Sequence, residues 1–503
     1  RDSAAKLSAA KPVAARRRTR TGGPTNASAA DLGVAARLAT AERSKYLGLS
    51  LLLASHYCLW FSPSAFPFTF SVNDSFTFGW LTALGAAAIT MFGLTRLLGR
   101  GRHLPERPWL AWGAAAALSA AALFLTLRAV PSGQAAPAMA SGAVTGSMGA
   151  VLWVAWGEGL ARQQARFSLA HLAPTYAACV LGGLAVTHLL PGALAPGFVA
   201  SLPLASAWLL RGQARVLAAT DGRAPVLLPR KLAKPGLKSI WTVALICSTA
   251  AFTCYYTVAI VPREALWGVC ETFTWGVALG AGLLLGMGVG RIRRLGNRSA
   301  CRALPWLMAL TVLACALFLS EAVPGALAFF LALALSSVFE ILLTAHMAGL
   351  TLRGYVSAAA AFALSGGAIR AGIALGHGTA LAYQRLPGWH ASLVAPTFLT
   401  LIVVLTGMLV ILVRQEHTVN ELVAEPTRPD DLEAILDEVA AEFKLSERER
   451  EVAALIGRGY TAAAAAETLV ISHYTVNSHI GHIYAKMGIH KRAELIRYLH
   501  RRP

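Results

Sequence analysis

The chain is 503 residues long, 56% hydrophobic and only 14% charged, with 45 basic against 25 acidic residues and a formal net charge of +20. A mean hydropathy of +0.55 lies outside the usual range of soluble domains, which excludes an ordinary water-soluble protein and points to an integral membrane protein. The seven cysteines, Cys58, Cys179, Cys247, Cys254, Cys270, Cys301 and Cys315, lie in or beside apolar segments. They imply neither a disulfide framework nor a zinc site.

Residues 1–45 are rich in alanine and arginine, with Arg16, Arg17, Arg18 and Arg20, and poor in acids. An organellar transit peptide shares that composition, but no cleavage pattern stands out, and a disordered basic cytoplasmic tail is expected. From 46 to 413 the sequence reads as about twelve apolar spans, each near the ~20 residues that a bilayer-crossing helix needs. They are expected at 46–62, 77–98, 108–127, 137–157, 168–190, 193–210, 239–261, 266–290, 303–320, 324–350, 355–382 and 392–413.

The loops orient these spans. Basic clusters fall in the tail, at 96–107, 162–166, 211–238 and 291–302, and in the C-terminal region, whereas the intervening loops carry Asp74 or the isolated Arg128, Arg263 and Arg385. Because loops rich in Lys and Arg stay on the cytoplasmic side, this alternation predicts a multi-pass protein of the plasma (inner) membrane with both termini in the cytoplasm. An even number of crossings delivers the C-terminal region to the compartment that holds DNA. The longest internal loop divides the region into halves, 46–210 and 239–413. In this topology it resembles the major facilitator superfamily, whose two six-span halves flank a central cavity. The run Arg293-Arg294-Leu295-Gly296-Asn297-Arg298 is similar to part of that family's basic loop motif, with Arg293 in the place of its aspartate.

Ionisable side chains inside apolar spans are costly, so each marks a candidate site. Glu271 lies in the eighth span, Glu340 deep in the tenth and Arg370 midway along the eleventh. Consecutive spans are often neighbours, so Glu340 and Arg370 are expected to pair, either as a ligand or proton site on the bundle axis or as a structural ion pair. His56, His188, His346 and Glu158 are expected near the interface or satisfied by backbone. Gly282, Gly286 and Gly290, at four-residue spacing, predict close helix packing. Trp60, Trp80, Trp109, Trp241, Trp267 and Trp306 fall near span ends, where indole prefers the lipid–water interface.

At 414–442 the character changes. Between Glu416 and Glu442 nine acidic residues face Arg428 alone, Pro426 and Pro429 interrupt the chain, and Asp430 can cap a short helix carrying Leu432, Ile435, Leu436 and Val439. The segment reads as an acidic connector. It is either a solvated linker or a helix that competes with DNA for the basic face of the C-terminal stretch.

That last stretch, 443–503, opens with Ser446 and Glu449 in capping-box spacing. A helix carrying Val452, Leu455 and Ile456 then stops at Gly457 and Gly459, and Thr461 caps an alanine run from Ala462 to Ala466. After Leu469-Val470-Ile471, Ser472 caps a third helix with Val476, Ile480, Ile483 and Met487 on one face and Tyr474, Asn477, Ser478, Gly481 and Ala485 on the other. Two short helices, a tight turn and a third helix with a slender polar face fit a helix-turn-helix that enters the major groove. The expected architecture is all-α: a polytopic membrane bundle of about twelve spans followed by a C-terminal four-helix helix-turn-helix domain.

Leu445-Ser446-x-Arg448-Glu449-x-Glu451-Val452 and Ile471-Ser472-x-x-Thr475-Val476-x-x-His479-x-x-x-Ile483-x-x-Lys486 resemble the LuxR-type helix-turn-helix family. The resemblance implies a bacterial transcription regulator that binds double-stranded DNA as a homodimer through this domain. It places Asn477 and Ser478 at base-reading positions and Thr475, His479 and Lys486 at backbone or packing contacts, with Ser472, Tyr474, His482, Lys491 and Arg492 completing the DNA-binding set. Asn477 stands where the family usually has lysine, and asparagine suits the donor and acceptor of adenine's major-groove edge. Ala462 and Ala465 replace the second helix's usual polar start and branched apolar residue. His479 and His482 are spaced i, i+3, but no cysteine or carboxylate is near in sequence to complete a metal site. No Ser-His-Asp arrangement, phosphate loop or cofactor motif is evident, so neither catalysis nor a cofactor is expected. The expected function is a membrane-bound one-component regulator whose bundle senses an unidentified small molecule or a membrane condition and alters the dimeric state or access of the DNA-binding domain. The alternative is a major-facilitator-type transporter with an appended DNA-binding regulatory domain.

Overall fold

The computed structural model describes residues 46–66, 74–98, 104, 108–162, 169–219, 234–261, 269–294, 303–320, 325–352, 356–388, 390–423, 429–457, 460, 462–490 and 492–501. The expectations for the 1–45 tail, Arg263, Trp267, the Arg293–Arg298 motif's loop, Gly459, Thr461 and Lys491 lie outside them. Among the described residues every regular element is helical. Apolar sequence in lipid has no other choice short of a closed barrel, because only a helix satisfies each N–H and C=O within its own segment.

The apolar region forms α1 (Tyr46–Phe61), α2 (Asp74–Leu98), α3 (Pro108–Phe124, ending in a π turn), α4 (Ala135–Arg162), α5 (Leu169–Leu189), α6 (Leu194–Ala219), α7 (Lys234–Ile260), α8 (Val269–Arg294), α9 (Leu304–Ser320), α10 (Gly325–Leu352), α11 (Ala358–Gln384) and α12 (Ala395–Val423). Among the described residues nine helices are long and apolar enough to cross a membrane; α1, α9 and the apolar part of α8 are shorter. They stand at the twelve positions read from hydropathy, with different ends. α6 runs on to Ala219 and α7 begins at Lys234, and α12 continues to Val423, well past the apolar run. A helix ends where capping or proline stops it, not where hydropathy falls, and no proline interrupts α12 before Pro426.

The core lies around α7, α10 and α11. Of their most apolar 18-residue windows, 72%, 78% and 72% is buried, against 22% for α12 at the periphery. α11 packs on α2 and α7, α10 on α7 and α8, and α5 on α8. The two sequence halves therefore meet along α2–α11 and α5–α8.

Glycines allow three close helix approaches, and they are not the expected ones. A Cβ at Gly282 or Gly286 would meet no described residue within 4 Å, so that stripe of α8 packs on no neighbour among the described residues; Gly290 lies beyond the residues whose surroundings are described. The helix uses Gly276 and Gly280 instead, against Leu333 and Ala334 of α10. Closer contacts occur where Gly142 and Gly146 of α4 meet the Gly79 and Ala83 carbonyls of α2, and where Gly372 and Gly376 of α11 meet the Ser248 and Phe252 carbonyls of α7. Four-residue spacing identifies a stripe but not the face that has a partner. The tryptophans also divide. Trp109, Trp241 and Trp306 are 67%, 56% and 75% exposed, as interfacial residues should be, but Trp60 and Trp80 are core residues. Trp80 packs edge-on against His377 of α11 at 4.9 Å between ring centroids.

The C-terminal helices are α13 (Pro429–Glu442), α14 (Glu447–Gly457), α15 (Ala462–Leu469), α16 (His473–Met487) and α17 (Arg492–Arg501). They share one apolar core of their own, and Ile435, Leu436 and Val439 of α13 belong to it together with Val452, Ile456, Val476, Ile483, Leu495 and Leu499. The acidic segment is thus not a linker throughout. Its helix is amphipathic, and its apolar stripe is buried on α14 and α17.

Candidate nucleic-acid interface and intramembrane polar centre

α14 starts with the capping box in place: the Ser446 N–H donates to Glu449 Oε2 at 2.7 Å, and the Glu449 N–H donates to Ser446 Oγ at 3.3 Å. α16 is capped by Ser472, whose Oγ accepts from the Thr475 N–H at 3.0 Å, and it ends at Gly488 in a left-handed cap (φ 64°). Val476, Ile483 and Met487 point into the core, so the 3.6-residue period turns Tyr474, Asn477, Ser478, Gly481 and His482 outward. Tyr474 is 85% exposed. The Asn477 amide lies 3.2 Å from His473 Nδ1 one turn earlier. His479 is half-buried. A face of small and polar side chains with nothing packed over Gly481 has the profile a major groove admits.

Three members of the expected DNA-facing set have other partners. Lys486 Nζ donates to Glu449 Oε2 at 2.6 Å and to the Lys444 carbonyl at 3.0 Å, tying the end of α16 to the start of α14. His482 Nδ1 stands 3.8 Å from Glu449 Oε1, and Arg492 donates to the Tyr460 carbonyl at 3.0 Å. Sequence reasoning missed that Glu449, as a cap, is also the buried hub for Lys486. It likewise missed Arg448, which donates to the Leu469 carbonyl at 2.9 Å and braces the end of α15. Burial raises the Glu449 carboxyl, but the hydrogen bonds from Lys486 and Ser446 outweigh it and hold the group below the ordinary glutamate value. A depressed carboxylate contributes stability that is complete above its unfolded value of about 4.3 and is lost as pH falls through the folded value. Acid titration of the helical signal of these C-terminal helices should therefore show a loss below about pH 4.3 that Glu449→Gln makes shallower; an unchanged acid limb would remove Glu449 as its source.

Val470, in the turn between α15 and α16, has φ 54° and is 89% exposed. A β-branched residue in that region is strained and here has no packing to lose. Val470→Gly is expected to stabilise these helices by about 1 kcal/mol, read as a rise in the urea midpoint. The acidic α13 does not reach this face in the manner that competition with DNA requires. Asp437 is engaged by Arg450, whose Nε donates to Oδ1 at 2.7 Å, and the helix would have to abandon the core to cover α16.

In the bundle, Glu340 and Arg370 are brought together. Arg370 Nη1 lies 3.0 Å from Glu340 Oε1 and donates to the Gly366 carbonyl at 3.2 Å. Tyr57 of α1 donates its hydroxyl to Glu340 Oε2 at 2.9 Å, and the guanidinium stands 5.3 Å from the centroid of Trp153 of α4. Glu340 and Arg370 are 5% and 8% exposed. At that depth the desolvation cost is several kcal/mol per ion, and only the ion pair, the hydroxyl and the cation–π contact together offset it. Tyr57 and Trp153 join the centre from the other sequence half, and nothing in the local sequence singles them out. Trp153 also donates to the Phe362 carbonyl at 2.8 Å. Glu271 lies on α8, but its side chain is outside the described residues. Glu158, expected near the interface or satisfied by backbone, is buried and accepts from the backbone Leu104 N–H at 2.7 Å. His188 lies 3.3 Å from Ser64 Oγ.

A helix-turn-helix DNA-binding module thus follows an all-helical apolar bundle in one polypeptide. Residues 444–499 match the family described as Bacterial regulatory proteins, luxR family, and the C-terminal unit is a LuxR-type helix-turn-helix domain. Among solved structures the chain is similar to the crystal structure of the human organic anion transporter MFSD10 (TETRAN), over 75% of this chain and 98% of that one, at 16% identity and a TM-score of 0.47. No curated protein matches the chain.

Proposed function

We propose that this is a membrane-bound one-component transcription regulator. Its bundle, read as twelve spans over 46–413, crosses the bacterial plasma membrane with both termini in the cytoplasm. It senses a small molecule, and the C-terminal domain binds operator DNA as a homodimer. The observation that carries this reading is the open outer face of α16, presented by a LuxR-type domain on the same chain as a bundle with a buried charged centre. Asn477 and Ser478 read base edges. Ser472, Tyr474, Thr475 and His479 line the groove or its phosphates, joined by His482, Lys491 and Arg492, while Lys486 acts mainly by holding α16 on α14. Neither half is proposed to catalyse a reaction.

Full-length protein in lipid nanodiscs should protect a discrete, two-fold symmetric site in DNA upstream of its own gene. Asn477→Ala should weaken that binding by about 1–3 kcal/mol and relax discrimination at the base it contacts, since that is the worth of a good two-point base contact. Binding that is equally tight to unrelated duplexes, or indifferent to Asn477, would remove sequence-specific regulation. Substrate flux in vesicles without any protected site would favour the transporter reading.

A further inference from the structure

The wall of the polar centre opens onto a cavity of about 50 Å³ lined by residues of the first sequence half, among them Leu52, His56, Trp60, Leu84 and Trp153, and from the second half by Arg370. The polar groups of this wall differ in their partners. Ser55 and Thr145 turn their hydroxyls back onto the Leu52 and Gly142 carbonyls at 2.7 and 2.9 Å. Arg370 behaves differently: Glu340 and Gly366 both take Nη1, so Nη2 and Nε have no acceptor among the described residues. His56 makes no hydrogen bond among them and sets its ring against Tyr57 and Phe61 at 5.6 and 6.3 Å. Spare donors on a guanidinium that lines a mostly apolar cavity are open to an acceptor brought by a ligand.

We infer that this cavity is the ligand site of the sensor and that it takes a small monocarboxylate with a branched apolar body, the carboxylate on Arg370 Nη2 and Nε. Guanidinium presents two donor edges, and one carboxylate on each is a common fork geometry; Glu340 holds the first edge and leaves the second. His56 donates from the α1 side, and the side chains of Leu52, Trp60, Leu84 and Trp153 receive the alkyl part. Size limits the ligand, since a water occupies roughly 10–15 Å³ of such space and the cavity therefore holds roughly four water-sized groups, a short branched acid and not a large drug-like molecule. The ligand would touch α1, α2 and α4 on one side and α11 on the other. Occupancy favours the arrangement in which the halves stand as they do here, and this differential contact is what a sensor needs to shift a population. The inference rests on the sensor reading above and supplies its ligand class.

Full-length protein in nanodiscs, titrated with isobutyrate and with the neutral isostere isobutyramide and followed by the fluorescence of the cavity tryptophans and by calorimetry, tests it without DNA. Saturable isobutyrate binding at least about tenfold tighter than isobutyramide is expected, the margin a charge-assisted pair of hydrogen bonds provides. Arg370→Lys keeps a cation opposite Glu340 but loses the second donor edge, and should weaken isobutyrate about tenfold with the melting temperature retained. Should that variant fail to fold, His56→Phe removes the opposite donor and should weaken isobutyrate several-fold. Equal affinity for acid and amide, or no saturation by isobutyrate on folded wild-type protein, would overturn the site. Saturable isobutyrate binding that never changes operator protection would leave the site standing and overturn the sensor reading instead.

Discussion

Glu340→Leu should destabilise the bundle by about 3–5 kcal/mol, because it leaves the Arg370 charge buried without its partner. The Tyr57 hydroxyl loses its acceptor at the same time. Arg370→Leu should do as much, by stranding the Glu340 carboxylate against Tyr57. The double variant, Glu340→Leu with Arg370→Leu, is the discriminating one. Both charges are then gone, and apolar side chains of similar bulk can fill the space, so most of the lost stability should return; buried ion pairs replaced as a unit are often neutral in cost. The measurement is a double-mutant cycle on thermal or denaturant unfolding in detergent. If the two single losses simply add in the double variant, the residues do not act as a pair and the centre has been misread.

The second large effect belongs to glycine. A Cβ at Gly372 or Gly376 would fall on the Ser248 or Phe252 carbonyl of α7, and one at Gly142 or Gly146 on the Gly79 or Ala83 carbonyl of α2. Backbone cannot rotate aside as a flexible side chain can, so the helices must separate and lose contacts along their length. Gly376→Val and Gly146→Val are each expected to cost about 3 kcal/mol, the upper end of ordinary overpacking. Gly282→Ala and Gly286→Ala are the internal controls. No atom of another described element lies within 4 Å of either added methyl, and each should change stability by less than about 1 kcal/mol, the difference in helix propensity between the two residues. Comparable losses at all four positions would show that the stripe on α8 also packs on a neighbour.

These two predictions mark how far local sequence carries. Glu340 and Arg370 stand out in the sequence because charge in an apolar run is rare, and their place on consecutive spans makes pairing a reasonable expectation. Tyr57 and Trp153 cannot be found that way. Tyrosine and tryptophan are ordinary in apolar helices, and their approach to the pair depends on how α1 and α4 are rotated against α10 and α11. The glycine stripe on α8 is legible as a stripe, but the packing expected of it is performed by other glycines. Distance from span ends puts Trp60 and Trp80 at the interface, yet they face the core, since depth along a helix says nothing about azimuth.

In the C-terminal domain more is legible. Capping residues, the turn and the inward and outward faces of α16 come from local chemistry and a 3.6-residue period, and the structure reproduces the caps at Ser446 and Ser472 and both faces of α16. Sequence alone determined that the chain is all-helical, that an apolar bundle precedes a LuxR-type DNA-binding domain, and that charges at 340 and 370 need an explanation. Each of those rests on composition or on residues within one or two turns. Only the tertiary structure decided that α13 shares the DNA-binding domain's core, that Lys486 is tied to Glu449, and that Arg370 both pairs with Glu340 and lines a cavity. Such facts require helices distant in sequence to meet at a particular rotation, which hydrophobic burial, having no direction of its own, leaves to close packing.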